Sequence, residues 1–327
     1  MPNLFDIVVI GDCSIDTFLG IHEASLHCKL NRKDCQICFQ YGGKIPVDNL
    51  HFLVGGNAAN TAVGFSRLGL KSAIITTIGA DEVSDKIKNT LRREGVRTEF
   101  IHKETGTSSN FSVSINFQGE RTLFTYHVKR EHQLPELPTT NWIYLTSLGD
   151  YWQKAYEETR RFTRGNNIKL AFGPGSHQLE GEPTLLQEVL TSTTVLFVNK
   201  EEAQKIVDEK EENIGKLLVA LKKLGPKTVS ITDGLNGSWA IAEDGNVFQA
   251  GVRPANIVER TGAGDSYAAG FLSALFYELP IPVAMAWGAV NAGSVIEKVG
   301  AQTGLLTREE MEKKLKENPK LVAKEYV

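Results

Sequence analysis

The sequence predicts an α/β fold: a mostly parallel sheet covered by helices on both faces, with a small β-sheet lid standing off it. Three observations carry this. Short runs of β-branched and aromatic residues recur along the chain, helical patterns lie between several of them, and two segments instead alternate apolar with polar residues. Strands covered on both faces read as continuous apolar runs, whereas alternation marks a sheet with one open face.

In chain order the strand runs are "IVVI" at 7 to 10, "IITTI" at 74 to 78, "WIYL" at 142 to 145, "KLAF" at 169 to 172, "VLFV" at 195 to 198 and "TVSI" at 228 to 231. Val83, Ile87 and Leu91 stand at four-residue spacing ahead of Gly95, where a left-handed helix cap is expected. This alternation of strand and helix argues for a parallel sheet. Two regions break it. From Thr17 to Leu53 the strand-like pieces "CQICFQY" and "VDNLHFLV" flank the turn signal "YGGK". From Thr107 to Val128 apolar and polar residues alternate across the turn "QGER", as in a hairpin. The expected division is an α/β body of residues 1–16, 54–106 and 129–327, and a lid of 17–53 and 107–128 placed to cover a site.

At 327 residues, 41% hydrophobic and 23% charged, the chain has the composition of a folded globular protein. Its 36 basic residues against 39 acidic ones give a net charge of −3, which argues against a nucleic-acid surface and for a small ligand. The apolar runs are too short to span a bilayer, and "MPNLFDIVVIGD" reads as a first strand. Four cysteines do not make a disulfide framework. A cytoplasmic enzyme with no membrane partner is the expectation.

The glycine-rich segments hold the candidate chemistry. "TGAGDSYAAG" sets Gly262, Ala263 and Gly264 before an apolar helix, where bare N–H groups attract an anion, and follows them with Asp265. No stretch fits the P-loop pattern, and Tyr267 stands where a dinucleotide fingerprint needs its third glycine. "GGNAANTAVGFSRLG" brings Gly56, Asn57 and Asn60; its amides suit hydroxyls, and Asn57 could equally be an N-cap. "GDCSID" offers Asp12 and Asp16 past the first strand, for a ligand or for Asx turns. In "VNKEEA", Asn199 and Glu202 share a face at a helix start, for capping or for a metal-bound phosphate.

Together, and in this order, these segments make the chain resemble the ribokinase-like, or PfkB-type, carbohydrate kinases along nearly its whole length. The resemblance rests on Gly11 to Asp16, "GGNAANTAVGFSRLG", "IGADEVSDKIKNTLRREGV", the Asn199 and Glu202 pair, "TDGLNGS" and "TGAGDSYAAGFLSAL". It implies a Rossmann-type three-layer α/β/α domain with a β lid, and an ATP-dependent phosphotransferase. Carried over, Gly262, Ala263 and Gly264 form the anion hole and Asp265 is the base. Asp16, Gly56, Asn57 and Asn60 hold the acceptor, Asn199 and Glu202 organise magnesium through water, Thr232, Gly234 and Gly237 form the nucleotide wall, and Asn291 lies near the adenine.

The chain departs from this pattern in two places. Many members have Asp-Thr before the anion hole, often in a monovalent-cation site; here Glu259 and Arg260 stand there, which puts potassium activation in question. Arg260 could contact phosphate or pair with an acid. In the lid, His27, Cys28, Cys35 and Cys38 resemble a metal knuckle. Only the last two have pair spacing, so lid packing or a dimer contact is the favoured reading. The acceptor is a sugar, or alternatively a nucleoside; a catalytically silent sugar-binding protein is the third reading, and Lys44, Arg121 and Lys129 are scattered candidates for a sugar phosphate. A homodimer through the lid is expected because sheet edges invite pairing.

Overall fold

The computed structural model describes residues 4–22, 24–28, 35–117, 120–208 and 210–326. The strands are β1 (Phe5–Ile10), β2 (Ser14–Gly20), β3 (Ser25–Cys28), β4 (Cys35–Cys38), β5 (Asn49–Gly55), β6 (Ser72–Gly79), β7 (Ile101–Glu104), β8 (Asn110–Phe117), β9 (Glu120–Tyr126), β10 (Thr140–Thr146), β11 (Lys169–Gly173), β12 (Val195–Asn199), β13 (Thr228–Thr232), β14 (Ser238–Ile241), β15 (Val247–Ala250) and β16 (Lys324–Glu325). The helices are α1 (Asn57–Arg67), α2 (Ser84–Arg93), α3 (Gln153–Gly165), α4 (Ser176–Leu179), α5 (Pro183–Ser192), α6 (Lys200–Val207), α7 (Ile214–Lys223), α8 (Ala263–Phe276), α9 (Ile281–Val295) and α10 (Arg308–Glu317).

The main sheet runs β16-β15-β14-β13-β12-β11-β10-β1-β6-β7. It is parallel from β13 to β7, while β14, β15 and β16 form an antiparallel flank. Each parallel strand except the edge strand β7 is one of the apolar runs, and two buried cores lie on the two faces of the sheet. One gathers α1, α8 and α9 around Phe65 and Phe271; the other gathers α3, α5 and α7 around Tyr156 and Leu218. The chain first builds outward from β1 through β6 to β7, then returns to β10 on the other side. The strand order therefore switches between β1 and β10, and such a crevice at the carboxyl ends is where open α/β sheets bind ligands.

The two all-β insertions form one four-stranded sheet, ordered β5-β2-β8-β9, with β3 and β4 as a separate pair. Its boundary differs from the expected one. β2 begins at Ser14 and β5 runs to Gly55, so Asp16 belongs to the lid and not to the body. The reason is that only three residues separate β1 from β2, and backbone pairing of Ser14 to Gly55 and Asn110 claims the segment at once. The side chains of His27, Cys28 and Cys35 lie outside the described residues; Cys38 is a half-buried free thiol. Among the described residues no cluster of three or more His, Cys, Asp or Glu could hold a metal, and no helix is long and apolar enough to cross a membrane.

Candidate active site

The loop before α8 ends at Gly262, which takes a left-handed φ of 78° as the helix N-cap. A Cβ there would stand 2.4 Å from the Ala301 Cβ, so both the turn and the contact require glycine. No side chain caps α8; the Ala263 N–H makes a long bond to the Arg260 carbonyl at 3.4 Å, and the N–H groups after it are left for an anion. Two clefts meet at this point. The larger, about 420 Å³, is lined by Thr232, Gly234, Gly237, Arg260, Ala263 and Gly264 among others. The smaller, about 120 Å³, is lined by Asn57, Asn199, Glu202, Thr232, Gly264 and Asp265 among others. Thr232, Gly264 and Tyr267 border both, so the helix N-terminus stands where the two clefts adjoin. At Gly264 a Cβ would meet nothing within 4 Å, and a side chain would project into open space.

Asp265 sits in the first turn of α8 and is half-buried. Desolvation pushes its carboxyl up to about 6, with the charges of Asp16 and Glu202 adding to the rise and hydrogen bonds from Asn60 and Asn57 opposing it. Asn60 Nδ2 donates to Asp265 Oδ2 at 2.8 Å. That reach across two helices depends on close packing one turn further along, where a Cβ on Gly64 would lie 2.7 Å from the Ala269 Cβ. Behind Asn60, Gln302 Nε2 donates to Asn60 Oδ1 at 3.1 Å.

Asp16 faces this site from the lid. Its Oδ1 accepts from Ser14 Oγ at 2.8 Å and Ser112 Oγ at 2.6 Å. Burial holds its carboxyl above the usual range, opposed by those two bonds and by the charges of Arg121 and His127. The paired glycines before α1 have separate tasks. A Cβ on Gly55 would fall 1.8 Å from Asp16 Oδ2, so Gly55 makes room for that carboxylate. Gly56, with φ 90°, is the N-cap of α1 without any side-chain cap bond, so Asn57 is not the cap but the first helical residue, and it lines the smaller cleft.

Asn199 and Glu202 serve both of the roles their spacing allows. They form a reciprocal capping box, Glu202 N to Asn199 Oδ1 and Asn199 N to Glu202 Oε2, each at 2.8 Å. Both also line the cleft that holds Asp265. Glu259 is 4% exposed, and its Oε1 accepts from Thr261 N at 2.9 Å, Thr261 Oγ1 at 2.5 Å and Arg121 Nη1 at 3.1 Å. Its partner is thus the lid's Arg121, and Arg260 instead borders the larger cleft.

Asn291, which the resemblance puts near the adenine, has its side chain in the core. It is fully buried, and its amide is spent on the Ser266 carbonyl at 2.8 Å and the Leu306 N–H at 3.1 Å. Its neighbours Ala289, Ala292 and Gly293 line the larger cleft, while Asn291 itself ties α8 and α9 to the following chain. Sequence reasoning gave no role to Gln302 or to the polar group beyond Asp16. There His177 Nδ1 lies 3.4 Å from Asp150 Oδ1, and the His127 and His177 rings are 6.1 Å apart. Asp12, by contrast, is buried at the switch point, where desolvation pushes its carboxyl up to about 7 against the pull of Arg130.

The chain matches the family described as pfkB family carbohydrate kinase over residues 6–308. A nucleoside kinase of Methanocaldococcus jannaschii is 26% identical over 280 residues, spanning 81% of this chain and 86% of that protein. A ribokinase of Bacillus subtilis is 24% identical over 318 residues, spanning 95% and 99%. Arabidopsis thaliana ribokinase, solved in complex with ribose and ATP, shares the fold with a TM-score of 0.78 at 20% identity, covering 95% of this chain and 99% of that one. With the family match running through both glycine-rich segments that border these clefts, this protein belongs to the pfkB family of carbohydrate kinases.

Proposed function

We propose that this kinase transfers the terminal phosphoryl group of ATP to a hydroxymethyl group of a ribose- or fructose-like sugar. The larger cleft, walled by Thr232, Gly234 and Gly237 and by small residues of α9, suits a purine and ribose lying against backbone. The phosphates then run past Gly264 to the start of α8, whose free N–H groups stabilise the charge of the transferring group. Asp265 accepts the proton of the attacking hydroxyl, and Asp16, Gly56, Asn57 and Asn60 hold the acceptor. The observation that carries this reading is the placement of Asp265: a carboxylate lining the smaller cleft, next to Gly264 that borders both, at an uncapped helix start, and close enough to neutral for proton transfer.

Asn199 and Glu202 fit magnesium. Glu202 and Asp16 both raise the pKa of Asp265, a repulsion that a divalent cation in the cleft relieves. When bound, magnesium shields the phosphate charge. Potassium does not fit in the same way. Glu259 Oε2 is buried without a hydrogen-bond partner among the described residues, but its sister oxygen is already met by the Arg121 guanidinium, which would repel a cation. We therefore assign no monovalent-cation requirement.

A nucleoside acceptor is the second reading, and one observation favours it: beyond Asp16 stand further polar groups, His127, Asp150 and His177, that could meet a base attached to a sugar. Two features support further proposals: an apolar outer lid face for a homodimer, and free Cys13 and Cys38 for the reducing, ATP-supplied cytoplasm.

ADP release should be followed with free ribose and fructose against adenosine, cytidine and inosine. Turnover with the sugars is expected, and turnover with nucleosides alone selects the second reading. Asp265→Asn should keep ATP binding and lose roughly 10²–10⁴ in kcat. Because the base must be ionised, kcat/KM should fall as pH drops through about 6. Near-normal turnover in Asp265→Asn would remove Asp265 from the mechanism.

A further inference from the structure

We propose that Gln302 is a positioning residue for the base, acting through Asn60 to keep a hydrogen-bond donor turned toward Asp265. This rests on the reading of Asp265 as the base. An asparagine amide has a donor end and an acceptor end, and rotation of its plane exchanges them. Asp265 Oδ2, when ionised, can only accept. The Gln302 amide nitrogen can only donate. Asn60 lies between them with Oδ1 toward Gln302 Nε2 at 3.1 Å and Nδ2 toward Asp265 Oδ2 at 2.8 Å. With the Gln302 amide in this orientation, the reverse setting of Asn60 would face oxygen to carboxylate and nitrogen to nitrogen.

The segment that carries Gln302 is fastened from the same helix that carries Asn60. Arg67, at the last turn of α1, donates Nη1 to the Gln302 carbonyl at 3.1 Å and to the Leu305 carbonyl at 2.8 Å. Its own guanidinium is held by Glu94 through Nε at 2.7 Å and Nη2 at 2.9 Å. Gln302 is buried, at 9% exposure, and it is absent from the residues lining the nucleotide cleft and the cleft around Asp265. Its amide therefore has a route to the reaction through Asn60 and none through direct contact with the nucleotide.

A hydrogen bond to the charged form of a carboxyl favours that form. Loss of the fixed donor should raise the pH at which Asp265 ionises, by roughly one unit. The test is the pH profile of kcat/KM for Gln302→Met, which keeps the volume and removes the amide. The expected result is about a fivefold loss at pH 6 with little change at pH 8, as follows from that one-unit shift, and an unchanged KM for ATP. Damage to packing alone would instead lower the rate by a similar factor at every pH.

Gln302→Glu is the second variant. It keeps the shape and sets another carboxylate behind Asn60, so its acid limb should move at least as far upward. In an Asn60→Leu background, Gln302→Met should add no further shift, since the route runs through Asn60. An acid limb that stays in place in folded Gln302→Met and Gln302→Glu, while Asp265→Asn has lost turnover, overturns the role of Gln302 alone. Retained turnover in Asp265→Asn overturns the base itself.

Discussion

Glu259 is a buried carboxylate just ahead of the glycine loop, and a single arginine from the lid answers it. Arg121 is on β9, 138 residues away in sequence, and it reaches the one Glu259 oxygen that also anchors Thr261 just ahead of the anion hole. A buried carboxylate stripped of its cation is costly. Arg121 is itself partly exposed, so the loss in Arg121→Ala should be modest, about 1–3 kcal/mol. It should also be selective. With the guanidinium gone, Glu259 gains room and charge for a small cation, so potassium in place of choline should stimulate Arg121→Ala several-fold while leaving the parent enzyme unchanged. Steady-state assays in the two salts decide this, and potassium activation of the unaltered enzyme would contradict the pairing argument.

At the scale of helices, the reach from Asn60 to Asp265 depends on how closely α1 approaches α8. Asn60 and Gly64 are one turn apart on α1, as are Asp265 and Ala269 on α8, and the helices touch where Gly64 faces Ala269. Gly64→Ala would force two methyl groups to 2.7 Å, and Leu305 stands 3.5 Å away on the same side. The helices must separate by several tenths of an ångström, at an overpacking cost of about 1–3 kcal/mol. The 2.8 Å bond to Asp265 stretches with them. Gly64→Ala should therefore lower the melting temperature by several degrees and kcat by roughly tenfold, and the swap Gly64→Ala with Ala269→Gly should recover most of both. Thermal melts and turnover of the single and paired variants check this; a double variant no better than the single one would show that the contact does not set the geometry.

At the scale of the whole molecule, what was legible was local. The parallel strands other than β7 showed as apolar runs because both faces are buried, and the candidate anion hole and base showed because Gly262 to Asp265 are adjacent in sequence. Contacts joining distant segments left no spacing to read: Gln302 meets Asn60 across 242 residues, and Arg121 crosses from lid to body. Asn291 was placed near the adenine by resemblance alone, and its side chain turns into the core while its neighbours line the cleft. The start of β2 was missed because strand pairing, and not composition, decides where the lid begins.

The lid also bears on assembly. In its register Asp16 and Ser112 share one face, and Phe52, Thr17, Val113 and Phe124 form a row on the other. Leu50 at 63%, Phe52 at 37%, Phe124 at 56% and Tyr126 at 58% exposure leave that second face apolar and open. An apolar patch on a sheet is a candidate interface, and the occupant proposed for it is the same face of a second copy related by a two-fold axis. Sedimentation should give twice the chain mass at micromolar concentration, and Leu50→Glu with Phe124→Glu should give the single-chain mass. Because the lid carries Asp16, the separated chains should bind acceptor more weakly with little change in KM for ATP. An unaltered protein that sediments as a single chain at about 100 μM would leave this face to some other partner and would remove the reason for the acceptor effect.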